Sequence, residues 1–484
     1  MATMVVNQIA PIASPAKRDQ AFTGGTIRVS ELISALSYAL DLTEGRPMGH
    51  SVRSCLIGMR LGTAIGLSTT ELGDLYYTLL MKDAGCSSNS SRLYHILNAD
   101  DIKAKGDLKT TDWTKVGWES LHYAITHVST GAPFAERVWK LIQVAITQQA
   151  DSCELVKTRC ERGSSIARKL GFSEEVASGI YSLDEHWNGK GYPDGLRGHQ
   201  IPINARLANL AQTLEVFLEA RGPQEAIDAV TRRSGRWFDP RLVQTAVALA
   251  ADGRLWRDLD KKDVMEFVHA MEPEHRRFTA DEKTIDNICL AFAEIIDAKT
   301  PFTYQHSNGV ADVAVDIALR MGMDRAEIKT LWRAALLHDI GKLGVSNAIL
   351  EKPGKLTAEE FSSVRQHPFN TYEILSRIPA FVGFSADAAA HHERLNGKGY
   401  WQGLQGEQVS LRARILAVAD VYDALCAKRP YRDALPVEKV FSMMQADAPH
   451  ALDAACLQAL METQKPEEFA PLQANTKVFR EVRS

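Results

Sequence analysis

From Val29 onward, apolar residues recur at the three- and four-residue spacing of an amphipathic helix, as in Leu32, Ile33, Leu36 and Leu40. The spacing returns after Asp281 with Ile285, Ile288, Cys289, Phe292, Ile295 and Ile296. Strand-like alternation is scarce, and Gly or Pro falls between helix-length segments. The pattern predicts an all-α chain.

That helical pattern occurs twice. His50-Ser51 lies under His306-Ser307 at 306 − 50 = 256, and the same register carries Gly66, Glu71, Leu75, Asp83 and Gly85 onto Gly322, Glu327, Leu331, Asp339 and Gly341. Further on, Asn188-Gly189-Lys190-Gly191-Tyr192 lies under Asn396-Gly397-Lys398-Gly399-Tyr400 at 400 − 192 = 208, a register that holds through Ala205 and Arg206. The first copy therefore carries 256 − 208 = 48 extra residues within 87–182. The expected organisation is a flexible leader over 1–26, a first copy over 27–257, a solvated charged linker over 258–280 and a second copy over 281–484. The insertion, with its serine run and His95, His122 and His127, reads as a surface elaboration whose histidines lack partners at ligand spacing.

Composition narrows the class. The chain has 484 residues, 45% hydrophobic and 24% charged, which suits a soluble globular protein of two or three domains. A net charge of −4 gives no general attraction to nucleic acid polymers or anionic membranes, so any phosphate binding must be local. No apolar run approaches a membrane span, and the N-terminus does not read as a signal peptide. Seven scattered cysteines without CxxC spacing argue against a disulfide framework and favour the cytoplasm.

Candidate chemistry centres on His338-Asp339, an imidazole and a carboxylate at the end of an apolar run, with Lys342 one turn on. Alone, the pair reads equally well as a capped helix end. His306, His367, His391, His392 and Asp420 change that balance, because seven candidate ligands on five separate segments suit a multi-metal hydrolase rather than a zinc finger.

From His306 to about Ala434 the sequence resembles the HD-GYP branch of the HD-domain phosphohydrolases, bacterial enzymes that cleave cyclic dinucleotides. The resemblance rests on His338-Asp339-Ile340-Gly341-Lys342, on His391-His392-Glu393 with Asn396-Gly397-Lys398-Gly399-Tyr400, and on Asp420-Val421-Tyr422-Asp423-Ala424-Leu425 with Arg429-Pro430-Tyr431-Arg432. It implies two tandem HD-type helical domains and two divalent metals, iron or manganese. His306, His338, Asp339 and Asp420 would hold one metal, and Asp339 would bridge to a second held by His367, His391 and His392. Asp339 and Lys342 would be catalytic, with Lys342 on a phosphate oxygen. Arg429 and Arg432 would hold the second phosphate, Tyr400 would lie beside the nucleotide, and Asp423 would support the ligands or contact a base.

Two departures matter. Phe302 stands where some members carry a glutamate for a third metal, and Trp401 replaces the proline of the name-giving Gly-Tyr-Pro. The implied reaction is hydrolysis of cyclic di-GMP to a linear dinucleotide and on to GMP; 3',3'-cyclic GMP-AMP is the near alternative, and a non-catalytic nucleotide receptor or scaffold the distant one. A GGDEF-type cyclase or other protein partner and a homodimer are further expectations.

The first copy lacks this set. Lys82, Cys86, Leu183-Asp184 and Gln212 stand at the positions of His338, Lys342, His391-His392 and Asp420, and Arg159 stands near that of His367. His50 and Asp83 are too few for a tight site, and Lys82 repels a divalent ion. A regulatory or dimerising role is expected instead, with the intact Asn188–Pro193 loop read as a turn that the fold needs.

Overall fold

The computed structural model describes residues 27–109, 126, 153–261, 264–274, 278–303, 305–427 and 433–463. Among them the chain is all helix and turn, with only isolated bridges such as Asn188–Arg197 and Asn396–Gln405. The leader 1–26, His122, His127, Arg429 and Arg432 lie outside the described residues.

The two registers of the sequence are also those of the helices. His50–Ala64 and Thr69–Met81 lie 256 residues before His306–Arg320 and Arg325–Leu337. Glu174–Tyr181 and Ile203–Arg221 begin 208 residues before Val382–Ala389 and Leu411–Cys426. Local chemistry sets the starts. Ser68 and Glu71 form a reciprocal cap at one helix, and Asp324 accepts from the amides of Ala326 and Glu327 at its counterpart. Each of these helices buries a leucine-rich face and runs directly into the pair Lys82-Asp83 or His338-Asp339.

A close approach explains a shared glycine. A Cβ on Gly341 would lie 2.0 Å from the carbonyl oxygen of His367, and one on Gly85 would lie 1.9 Å from that of Arg159. The turn after the His-Asp pair can therefore press against the next helix only as glycine, and Arg159 occupies the place of His367.

The copies share one continuous apolar cluster. Helix Val29–Thr43 of the first copy packs on the 3-10 turn Ile340–Gly344 and on helix His367–Leu375 of the second. Burial of apolar surface on this scale makes the pair one packed body rather than two tethered ones.

Two expectations about exposure need correction. The linker is not a solvated tether: it contains helix Val264–Ala270, whose Val264 and Val268 are buried. Buried Glu272 accepts hydrogen bonds from Ser30 Oγ (2.7 Å) and the Tyr77 hydroxyl (2.6 Å), so its charge is met by first-copy donors rather than by water. Nor is the described part of the insertion only a surface addition. Helix Asp101–Leu108 buries Asp101 against the second copy, and Ser91 and His95 both reach Glu351.

Candidate metal centre

Three histidines of the second copy are oriented by helix ends. His338 and His391 each follow a helix and share a 2.6–2.7 Å hydrogen bond through Nδ1 with a carbonyl of its last turn, Ala335 and Ala388. His367 does the same at 2.6 Å with Val364, the last residue of helix Ala358–Val364. Carbonyls in a last turn lack intrahelical partners, so the imidazole N–H satisfies them and leaves each Nε2 as a lone-pair donor. Three helix C-termini, each with its partial negative charge, thus converge on one place.

That place is filled by the other candidates. Asp339 Oδ1 lies 3.4 Å from His367 Nε2 and 3.5 Å from His391 Nε2, while its Oδ2 lies 3.4 Å from His338 Nε2 and 3.6 Å from His306 Nε2. Asp420 Oδ1 is 3.4 Å from His306 Nε2, and its Oδ2 is 3.9 Å from His392 Nδ1. All seven residues converge on one place. Donor atoms of six fall into two tight groups, His306-His338-Asp339 and His367-His391-His392, with the Asp339 carboxylate between them and Asp420 reaching His306 in one and His392 in the other.

The donor set fits divalent metal. His338 Nε2 and Asp339 Oδ1 are buried with no hydrogen-bond partner, and His367 Nε2 faces His391 Nε2 at 3.1 Å. With both Nδ1 atoms donating to carbonyls, that contact sets two lone pairs against each other. A cation relieves it.

Electrostatics agrees. Burial pushes the pKa values of His367, His391 and His392 below the usual range and keeps these rings neutral, as ligands must be. Burial also works against a charged His306, but Asp339, Asp420 and Asp423 outweigh it and hold that ring's pKa well above the ordinary value, so this ring carries a proton that a metal would have to displace. Asp339 and Asp420 are buried as well. Lys342 and His338 overcome that cost for Asp339, and His306 and His392 do so for Asp420, so both carboxyls stay well below the usual carboxylate range.

The remaining candidates take places around this centre. Lys342 Nζ donates to Asp339 Oδ2 and lines a cleft of about 90 Å3 beside the ligands. Asp423 Oδ2 meets His306 Nδ1 at 2.6 Å, which makes it the support of a ligand rather than a ligand. Tyr400 packs on His392 with ring centroids 4.6 Å apart, under the Arg365 guanidinium. Trp401 has φ of 99° and lies 5.1 Å from the Tyr372 ring.

Several further contributors are not themselves candidate ligands. Buried Asp297 accepts from Ser307 N and Oγ and so fixes the start of the His306 helix. Thr371 Oγ1 donates to the His338 carbonyl at 2.9 Å and accepts from Gly341 N at 3.1 Å. Glu393 accepts from the amides of Gln402, Gly403 and Leu404 and organises the glycine-rich loop. Glu185 accepts from the amides of Asp194 and Gly195 in the first copy, which supplies a structural reason for that loop's survival there. The repeat register pairs Glu185 with Glu393 and Asp41 with Asp297, a signal available in the sequence.

In the first copy the equivalent place is filled by the chain's own cations. Lys82 Nζ lies 3.1 Å from His50 Nε2 and contacts Asp83, while Lys109 Nζ lies 2.8 Å from Glu44 and 3.6 Å from Asp83. Arg159 pairs with Asp184. Glu44, Asp83 and Cys86 are close enough together to hold an ion, but Lys109 already neutralises the carboxylates, and burial pushes the Cys86 thiol well up. Glu215 contacts His50 Nδ1 as Asp423 does His306.

Comparison with known proteins agrees with this geometry. The HD domain family matches residues 108–242 and 291–456. A 3'3'-cGAMP-specific phosphodiesterase of Vibrio cholerae is 41% identical over 451 residues, 92% of this chain and 97% of that protein. The cyclic di-GMP phosphodiesterase response regulator RpfG of Xanthomonas campestris is 40% identical over 154 residues, 31% of this chain and 41% of that one. A crystal structure of a cyclic GMP-AMP-specific phosphodiesterase of V. cholerae superposes with a TM-score of 0.63 at 38% identity, covering 91% of this chain and 98% of the other. Two matched stretches, a helical fold in two registers and a His/Asp cluster at the ends of its helices place this chain in the HD-domain family, in its HD-GYP branch.

Proposed function

We propose that the chain is a metal-dependent phosphodiesterase that hydrolyses a cyclic dinucleotide, with 3',3'-cyclic GMP-AMP as its substrate. The observation that carries the reading is the convergence of seven His and Asp side chains, six of them in two adjacent donor groups with Asp420 beside both. His306, His338, Asp339 and Asp420 would hold one ion, with Asp339 shared toward His367, His391 and His392. When bound, a divalent pair supplies Lewis acidity for water activation and for an in-line phosphoryl displacement.

The protein's own groups do the rest. Helix-end carbonyls hold the imidazoles in the ligating tautomer, and Asp423 keeps His306 turned toward Asp420. Lys342 neutralises Asp339 and stands in the adjoining cleft, where its ammonium can meet a phosphate oxygen. Tyr400, stacked beside His392, offers an apolar face to a base or ribose. Arg429 and Arg432 complete the reading as holders of the second phosphate.

Base choice moves away from cyclic di-GMP because a relative that matches nearly end to end is named for cyclic GMP-AMP. Cyclic di-GMP remains the second reading, favoured by shorter matches to enzymes named for it. Iron or manganese suits neutral imidazoles with carboxylates. Seven free cysteines fit the cytoplasm, and among the described residues no helix is long and apolar enough to cross a membrane. A cyclase partner and a homodimer are parts of the same reading that its family suggests. Incubating purified, metal-analysed protein with a panel of cyclic dinucleotides and resolving the products tests the proposal. Linear products, formed fastest from cyclic GMP-AMP and lost in a His338→Ala, Asp339→Ala variant, are expected; unchanged turnover in that variant would overturn it.

A further inference from the structure

The first copy does more than pack against the second: one of its carboxylates reaches the wall of the second copy's centre. Asp101, at the start of helix Asp101–Leu108, is fully buried. Its Oδ1 accepts from Ser346 Oγ at 3.0 Å and from Asn347 N at 2.6 Å, and its Oδ2 lies 3.5 Å from Lys299 Nζ. Asn347 closes the arrangement by donating from Nδ2 to the Lys299 carbonyl at 2.8 Å.

These partners belong to two separate segments that deliver the candidate ligands. Lys299 begins the turn that leads into His306, and Ser346-Asn347 ends the segment that starts at His338-Asp339 and carries Lys342. Between the segments lies the cleft lined by Lys299, Thr300, Thr303, His306, Asp339 and Lys342. A buried carboxylate with three donors, two on one wall and one on the other, fixes their separation. A buried lysine opposite it would be costly without such a partner.

We propose that Asp101 is a positioning residue, by which the first copy sets the width of the second copy's substrate cleft. The consequence for catalysis rests on the phosphodiesterase reading; the bracing itself does not. The retired copy thereby supplies a side chain that braces both walls of the active copy, beside the direct bond from Asn347 to the Lys299 carbonyl.

The test uses the full chain with Asp101→Ala and Asp101→Asn. In metal-free protein, amide hydrogen exchange over 298–303 and 340–350 should quicken about tenfold or more in Asp101→Ala, with helix Leu411–Cys426 unchanged. In metal-loaded protein of full metal content, kcat should fall by about tenfold with a smaller change in KM, because the ligands stay and the reacting geometry loosens. Asp101→Asn, which keeps an acceptor for Asn347 N, should recover part of both effects. Unaltered exchange in the two segments overturns the bracing, and quickened exchange with kcat within about twofold of the parent overturns the positioning role. Should Asp101→Ala fail to fold, Ser346→Ala removes one of the three bonds and should give the same pattern at smaller size; no change there overturns the proposal equally. A parent chain that turns over no cyclic dinucleotide refutes the phosphodiesterase reading instead, and exchange still decides the bracing.

Discussion

Set side by side, the two copies solve one electrostatic problem in different ways. Each sets an aspartate just past the C-terminal end of a buried helix against a histidine that begins another helix, and each of those histidines is backed by a carboxylate, Glu215 for His50 and Asp423 for His306. In the second copy the surplus of donors is left for ions from outside. In the first, Lys82 Nζ stands against His50 Nε2 and Asp83, and Lys109 and Arg159 answer Glu44 and Asp184. The lesson is that the fold requires positive charge at this point whether or not it performs chemistry.

The comparison can be broken most severely by exchanging its central residue. His338→Lys installs the first copy's answer in the second and should lower metal content and reduce turnover by at least about a thousandfold, with helical circular dichroism retained. Metal analysis together with a turnover assay reads both, and retained metal at full stoichiometry would count against the equivalence. The converse change, Lys82→Met, leaves Asp83 buried beside a neutral side chain. Because Lys109 still lies 3.6 Å from Asp83, the change should cost about 1–3 kcal/mol in denaturant unfolding while the metal content of the second copy holds.

A finer test lies in the supporting carboxylates. Asp423→Asn should weaken metal affinity or activity by about 10- to 100-fold, because His306 loses the partner that orients it. Glu215→Gln should leave metal content unchanged, since the first copy holds its cation covalently.

The smallest expected effect concerns pH. Burial lowers the Lys299 pKa to about 8, so between that value and the ordinary lysine pKa of about 10.4 the unfolded chain binds more protons than the folded one. This group's contribution to stability therefore rises with pH across that window and is lost as pH falls through about 8. Lys299→Met should flatten the rise, as thermal melts from about pH 8 to about pH 10 would show.

Much of this is legible in the sequence, for definite reasons. Helical spacing locates the elements because each buries a single stripe, and two constant offsets expose the repeat because Gly85 and Gly341 cannot tolerate a side chain. The seven candidate ligands stand out because their types and order are unusual, and the fold brings all seven together. What escapes is long-range satisfaction of polar groups. Asp101 lies 198 residues from Lys299 in sequence and Glu272 lies 242 from Ser30, so neither contact leaves a periodic trace. The linker reads as solvated because it is charged and the insertion as a surface elaboration because of its serine run, although a charge met by buried donors is as much interior as a leucine. Tyr400 is expected beside a nucleotide, and its immediate neighbour is the candidate ligand His392.

The carbonyls that orient His338, His367 and His391 have a historical consequence. Because they are main-chain groups in the last turns of helices, no substitution can delete them, and a duplicated domain drifting away from hydrolysis keeps a sink for cations at its heart. Decay of this copy took that course at two of its four vanished imidazoles, with Lys82 at the position of His338 and Arg159 at that of His367, while Leu183-Asp184 replaced the other two. Retired relatives built on this fold should be recognisable by basic residues at vanished ligand positions before any assay is run.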